Sequence, residues 1–129
     1  MTEKLRVIPL GGLGEIGRNM MLLECGDDII VVDVGLMFPE EEMLGVDLVI
    51  PDFSYLRDHK DKLRAVFLTH GHEDHVGALP YFRREFNAPI YSAKLTDGLI
   101  RVKLQEHRLL QDSETHVITP GEVITAGIF

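Results

Sequence analysis

The chain has 129 residues, of which 45% are hydrophobic, and its formal net charge is −8 at pH 7. This length allows one domain at most, and the excess of acidic residues argues against nucleic-acid binding, because phosphate contacts come from lysine and arginine. The single cysteine, Cys25, excludes an intrachain disulfide and suits a reducing cytosol, and we expect neither a signal peptide nor a membrane span.

The first half of the chain is predicted to open with three β-strands. Apolar runs bounded by turn-forming residues predict these strands at residues 5–10, 19–25 and 28–34. A glycine-rich turn over residues 11–18 joins the first two. An irregular segment with an acidic stretch at residues 40–42 then leads to a short helix at residues 53–60.

The second half alternates between strands and helices. The predicted strands cover residues 65–69, 89–92, 115–119 and 122–125, and the predicted helices cover residues 76–86 and 95–110. Opening strands followed by alternating helices and strands indicate an α/β fold.

The glycine-rich turn offers a dinucleotide-binding alternative. Gly12, Gly14 and Gly17 have the spacing of the G-x-G-x-x-G fingerprint, and Asp33 lies at about the right distance beyond them. That fingerprint needs a helix opening at its last glycine, whereas the residues before Gly26 leave room for only about two turns. The turn could instead shape access to a nearby site, or connect two strands.

The most informative segment joins the strand at residues 65–69 to the helix at residues 76–86. It reads His70-Gly71-His72-Glu73-Asp74-His75, which places four metal-capable side chains in one loop. Imidazole and carboxylate are ligands that zinc and manganese favour, and open α/β sheets place their sites where strands end. A solvated histidine-rich turn is the alternative.

The spacing divides these ligands into two pairs. His70 and His72 are two apart, so on an extended backbone they point the same way and can bind one ion. Asp74 and His75 are adjacent and diverge, so they can face a second ion, while Glu73 is expected to face away. Two metal ions about 3.5–4 Å apart form the clamp of many phosphoesterases.

This segment resembles the H-x-H-x-D-H signature of the metallo-β-lactamase superfamily. Further segments resemble the amino-terminal part of the ribonuclease J family, in the β-CASP branch of that superfamily; they lie at residues 11–19, 33–40 and 49–52. The resemblance implies that residues 1–129 form the amino-terminal portion of a metallo-β-lactamase domain, the first half of its αββα sandwich. It places the rest of that domain and a β-CASP domain outside this chain.

Asp33 follows the apolar run at residues 29–32, where an acid is costly unless it is hydrogen-bonded. In the family an aspartate at this point supports the ligand loop, so the resemblance implies that Asp33 orients a ligating histidine or the loop backbone. Asp33 could also cap the turn before Gly35, and the two interpretations are compatible.

The resemblance implies a metal-dependent ribonuclease that hydrolyses RNA phosphodiesters, as a 5′-to-3′ exonuclease and an endonuclease, in RNA decay and in processing that includes rRNA. Its metal ligands would be His70, His72, Asp74 and His75, for two divalent ions, Zn2+ or alternatively Mn2+ or Mg2+; Asp74 would also orient the attacking water or take its proton. The partners implied are an RNA substrate and further copies in a cytoplasmic homo-oligomer, without a membrane. Other family ligands would follow Phe129, so this chain alone is expected to be inactive.

Two other functions stay open. The metal loop does not separate a ribonuclease from another hydrolase on this fold, such as a lactamase or a thioester hydrolase, although the flanking segments favour the ribonuclease. A non-catalytic binding module would be favoured by a degenerate ligand loop, and this loop is intact. His116 is a weaker candidate ligand because its neighbours match no family motif, and His59 and His107 lie in charged helical stretches.

Overall fold

The computed structural model describes residues 3–39, 41 and 43–129. They form one mixed sheet of six strands, arranged in the order of the chain, with helices packed on one face. The predicted α/β class is confirmed. Glu40 and Glu42 of the predicted acidic stretch lie outside the described residues.

The six strands are β1 (Leu5–Gly11), β2 (Met20–Cys25), β3 (Asp28–Val32), β4 (Leu63–Phe67), β5 (Ile90–Ser92) and β6 (Thr115–Val117). The pairs β1–β2 and β2–β3 are antiparallel, whereas β3–β4, β4–β5 and β5–β6 are parallel. Parallel neighbours need crossover connections, which the helical segments supply. All these strands were predicted, with ends that differ by at most two residues.

The helices are α1 (Ser54–Arg57), α2 (Glu73–Val76), α3 (Leu79–Glu85) and α4 (Lys94–Glu106), with a 3-10 turn at Lys60–Lys62. The helix predicted at residues 76–86 is confirmed in part. Helix α3 lies within that range, but a break separates it from α2, which begins inside the metal motif. Pro80 has no N–H, so it fits the first turn of α3 and not the interior of a continuous helix. In the described part of the chain, no helix combines the length and apolar character that crossing a membrane requires.

The strand predicted at residues 122–125 is also wrong, because these residues are irregular. Gly121 has a φ of +85°, and the backbone N–H of Thr119 donates to the carboxylate of Glu122 at 2.9 Å. These features turn the chain just after β6, and residues 122–125 beyond the turn pair with none of the six strands.

The main core lies between the sheet and the helices. Alternate residues of a strand face opposite sides of a sheet, and Ile29, Val31 and Val66 are fully buried on this face. The helices contribute Leu79, Phe82, Ile100 and Leu104. Each large apolar side chain contributes about 1.5–3 kcal/mol when fully buried, so this packing holds the ends of β3 and β4 in place.

The opposite sheet face is also apolar. Phe67 and Tyr91 stack with ring centroids 5.2 Å apart, and Tyr91 stacks on His116 at 5.0 Å. On β1, Leu5 and Val7 are 58% and 56% exposed. The inner layers of a two-sheet sandwich present such a face to each other; the second sheet of the predicted sandwich stays a prediction.

Candidate metal centre

Two strand ends bring the residues of the centre together. Asp33 directly follows β3, and His70 lies three residues after the end of β4. Because β3 and β4 are parallel neighbours, both segments leave the sheet at the same edge. Asp33 has a φ of +62°, a left-handed conformation that aspartate adopts more readily than most residues, and it turns the chain out of the sheet.

Three of the four predicted ligands lie together. One ligand atom from each of His70, Asp74 and His75 lies within 4.8 Å of the other two, and Nε2 of His75 is 3.5 Å from Oδ2 of Asp74. Ligands bound to one zinc ion at about 2.1 Å stand about 3.4 Å apart in a tetrahedron. Small side-chain adjustments therefore let these three share an ion, and their nitrogen and oxygen donors fit zinc or manganese.

His72 lies beside this group without joining it. It is exposed and precedes α2, and its ring meets that of His70 edge-on, with centroids 4.8 Å apart. The structure thus groups His70 with Asp74 and His75, whereas the spacing paired His70 with His72. His72 stays a predicted ligand that needs a side-chain rotation to share an ion with the others.

The carboxylate of Asp33 connects to both histidines of the group. Its Oδ2 accepts hydrogen bonds from Nδ1 of His75 at 2.8 Å and from the Thr69 hydroxyl at 2.7 Å, and its Oδ1 accepts from the Thr69 backbone N–H at 2.8 Å. The same hydroxyl lies 3.1 Å from Nδ1 of His70, and with its own hydrogen committed it accepts from that nitrogen. Both Nδ1 atoms then carry hydrogen, which leaves both Nε2 atoms as metal-binding lone pairs.

Helix α2 is four residues long and is held by neighbouring segments. The backbone N–H of Asn19 donates to the carbonyl of Asp74 at 3.0 Å, and that of Val34 donates to the carbonyl of His75 at 2.8 Å. The last carbonyls of a helix have no partners within it, so these bonds satisfy groups that a short helix leaves open. They also fix Asp74 and His75 relative to the end of β3.

Gly35 is expected to tolerate no larger residue. An added Cβ would overlap the carbonyl oxygen of Asp74 and lie 2.8 Å from the backbone nitrogen of Asn19. Gly35→Ala must therefore displace α2, and we expect it to lower the free energy of unfolding by about 3 kcal/mol, the upper end of ordinary overpacking. Urea unfolding measures this loss.

Gly98→Ala in α4 is the matched control, because a Cβ there would meet no described atom within 4 Å. Alanine is more favourable than glycine inside a helix, so this variant should gain about 0.5–1 kcal/mol. Equal stability of the two variants would contradict the close packing at Gly35.

Lys103 and Asn19 contact residues of the metal loop, and neither contact was predicted from the sequence. Glu73, predicted to face away from the metal, forms an ion pair with Lys103 of α4. Asn19 places its side-chain amide against Asp74 and His75. The available signal for Asn19 was its position between the glycine-rich turn and β2; Lys103 had none, since it lies on an ordinary charged helix.

The structure bears on the dinucleotide-binding interpretation and on the three histidines outside the metal loop. Gly17 is followed by β2 and not by a helix, so the dinucleotide-binding interpretation is wrong. His116 lies on β6 with Nε2 2.6 Å from the carboxylate of Glu114, outside the metal-capable group found among the described residues. His59 and His107 also lie outside that group, with Nδ1 of His59 2.7 Å from the carbonyl of Tyr55.

Sequence comparison identifies the relatives of the chain. Residues 13–127 match the family described as the Metallo-beta-lactamase superfamily. The chain is 47% identical over 124 residues to Ribonuclease J2 of Bacillus subtilis (strain 168), covering 96% of this chain and 22% of that protein. It is 50% identical over 108 residues to Ribonuclease J 2 of Staphylococcus aureus (strain NCTC 8325 / PS 47), covering 84% and 19%. The chain thus spans about one fifth of the length of these relatives.

A solved structure supports the same grouping at the level of the fold. The metallo-beta-lactamase fold protein YhfI from Bacillus subtilis superposes with a TM-score of 0.60 and 24% identity, covering 96% of this chain and 50% of that one. The predicted fold and the predicted resemblance to ribonuclease J are confirmed. Because the family match covers most of its length, this chain belongs to the metallo-beta-lactamase superfamily.

Proposed function

We propose that this chain carries metal ligands of a metal-dependent ribonuclease that hydrolyses RNA phosphodiesters. The observation that carries the proposal is the convergence of His70, Asp74 and His75 at a strand end, with His75 hydrogen-bonded to Asp33. Membership of the superfamily implies divalent-metal binding. The relatives named ribonuclease J direct the proposal to RNA.

The proposed ligands are His70, His72, Asp74 and His75, for two divalent ions, with Zn2+ favoured over Mn2+ or Mg2+. Such ions, when bound, make a water reactive near neutral pH and offset charge on the phosphoryl oxygens. The protein holds the imidazoles with Nε2 free, which Asp33 does directly for His75 and through Thr69 for His70. The carboxylate of Asp74 also orients the attacking water or accepts its proton.

RNA is the finer part of the proposal. A net charge of −8 opposes a polyanionic substrate, but bound divalent cations reverse the local sign of charge at the site. The similarity to proteins named ribonuclease J supports RNA over a lactam or a thioester. On the same basis we propose 5′-to-3′ exonuclease and endonuclease action in RNA processing and decay, in a cytoplasmic homo-oligomer.

A substrate comparison tests the function. The complete protein is freed of metal with a chelator, reloaded with Zn2+ or Mn2+, and given 5′-phosphorylated single-stranded RNA, a chromogenic β-lactam or a thioester. We expect metal-dependent cleavage of the RNA with 5′-phosphorylated products, and background rates on the other two. Hydrolysis of the lactam or thioester with intact RNA would replace the proposal by another hydrolase, and no hydrolysis at all would favour a binding module.

A further inference from the structure

The glycine-rich turn between β1 and β2 leads directly to Asn19, beside the metal centre. Within the turn, Glu15 accepts hydrogen bonds from Nε of Arg18 at 2.6 Å and from the backbone N–H of Gly12 at 3.1 Å. The Arg18 guanidinium holds the pKa of the Glu15 carboxyl below its usual value, which favours the charged form that accepts these hydrogen bonds. A Cβ on Gly12 would lie 2.5 Å from Oδ1 of Asn19, so glycine there leaves room for the asparagine side chain.

The amide of Asn19 contacts both neighbouring ligands. Its Nδ2 lies 2.9 Å from the carbonyl oxygen of Asp74, 3.5 Å from Oδ2 of Asp74 and 3.4 Å from Nε2 of His75. An amide nitrogen has two hydrogens to donate, one for the carbonyl and one for Oδ2 of Asp74, so the Nε2 lone pair of His75 stays available for metal. Asn19 therefore contacts the ligand atoms themselves as well as the backbone that carries them.

The backbone carbonyl of Asp74 is held by Asn19 in two ways. It accepts two hydrogen bonds from Asn19, one from the backbone N–H at 3.0 Å and one from the amide at 2.9 Å. Removing the amide leaves the backbone bond in place but takes a donor away from the carbonyl and from the carboxylate of Asp74. Donors that orient ligating groups in this way contribute to metal affinity without touching the metal.

We infer that Asn19 is a positioning residue of the metal centre, whose amide holds the backbone carbonyl and the carboxylate of Asp74 in the arrangement that binds metal. The inference rests on the proposed metal site and is independent of which substrate is hydrolysed. The proposed function gives the glycine-rich turn no role. In this inference, the turn positions the Asn19 side chain beside the ligands.

Two variants of the complete protein test this role: Asn19→Leu, which keeps the branched shape without donors, and Asn19→Ala. Zinc affinity is measured by competition with a chromophoric chelator, and ligand geometry by the visible absorption of the Co2+-loaded protein. We expect zinc binding about tenfold weaker, with altered cobalt bands, in both variants. Asn87→Ala, at an exposed loop position, is the matched control and should bind zinc within about twofold of the unchanged protein.

The melting temperature of the metal-free protein separates positioning from folding. A positioning role predicts near-normal melting without metal and a deficit only when metal is added. Unchanged zinc affinity and cobalt bands in Asn19→Leu would overturn the inference, and so would failure of both variants to fold, since Asn19 would then serve the fold. If the unchanged protein bound no zinc, both the proposed metal site and the inference that rests on it would be refuted.

Discussion

The Asp33→Asn protein is expected to fold and to bind zinc about 10- to 100-fold more weakly than the unchanged protein. The substitution preserves the shape of the side chain, and asparagine tolerates the left-handed φ of +62° at this position. Asp33 is only 5% exposed, so the new amide must find its partners among the same neighbours. The loss therefore comes from the polarity of hydrogen bonds and not from packing.

The amide offers one acceptor and one donor where the carboxylate offers two acceptors. If its oxygen keeps the bond from the Thr69 N–H, its NH2 group faces Nδ1 of His75. That nitrogen must then accept, which moves the ring hydrogen to Nε2 and blocks the metal-binding lone pair. If the amide is flipped, two N–H donors face each other at Thr69, which costs about 1–3 kcal/mol.

Zinc competition and thermal unfolding measure the two consequences separately. Asp112→Asn, at an exposed position, makes the same chemical change away from the centre and should alter zinc affinity by no more than about twofold. Normal zinc affinity in Asp33→Asn would contradict the orienting role and leave Asp33 a capping residue.

The second large effect is expected from the double variant His70→Ala/Asp74→Ala, which removes two of the three grouped ligands. Zinc should no longer be retained, and RNA cleavage by the complete protein should fall to background. Metal ions contribute several kcal/mol of transition-state stabilisation, and about 4 kcal/mol corresponds to about a thousandfold in kcat. Both side chains are partly exposed, so metal-free stability should change by less than about 1 kcal/mol.

The control double variant, His116→Ala/Asp112→Ala, removes the same side-chain types from exposed positions and should keep full activity. Cleavage of 5′-phosphorylated RNA and zinc content per chain are measured for both proteins. Undiminished cleavage by His70→Ala/Asp74→Ala would refute the metal mechanism. Full zinc content together with lost cleavage would indicate that the metal ligands lie elsewhere in the protein.

Local sequence patterns predicted the strands well, because each strand combines an apolar run with turn-forming residues at its ends. They failed where a neighbouring segment decides the outcome. Helix α2 extends back to Glu73 because backbone groups from residues 19 and 34 satisfy its carbonyls, and residues 122–125 stay irregular because they pair with no strand of the described sheet. Neither the presence nor the absence of such a partner leaves a periodic signal in the sequence.

The sequence by itself determined the proposed metal ligands, because His70, His72, Asp74 and His75 lie within six positions of one another and the local backbone keeps them close. Only the tertiary structure decided how they are arranged: it groups His70 with Asp74 and His75 and leaves His72 at the side. It also brings in Asp33 and Asn19, which contact His75 from 42 and 56 positions away. Contacts over such separations depend on how the strands pack and pair, and that arrangement is set by the core as a whole and not by any one segment.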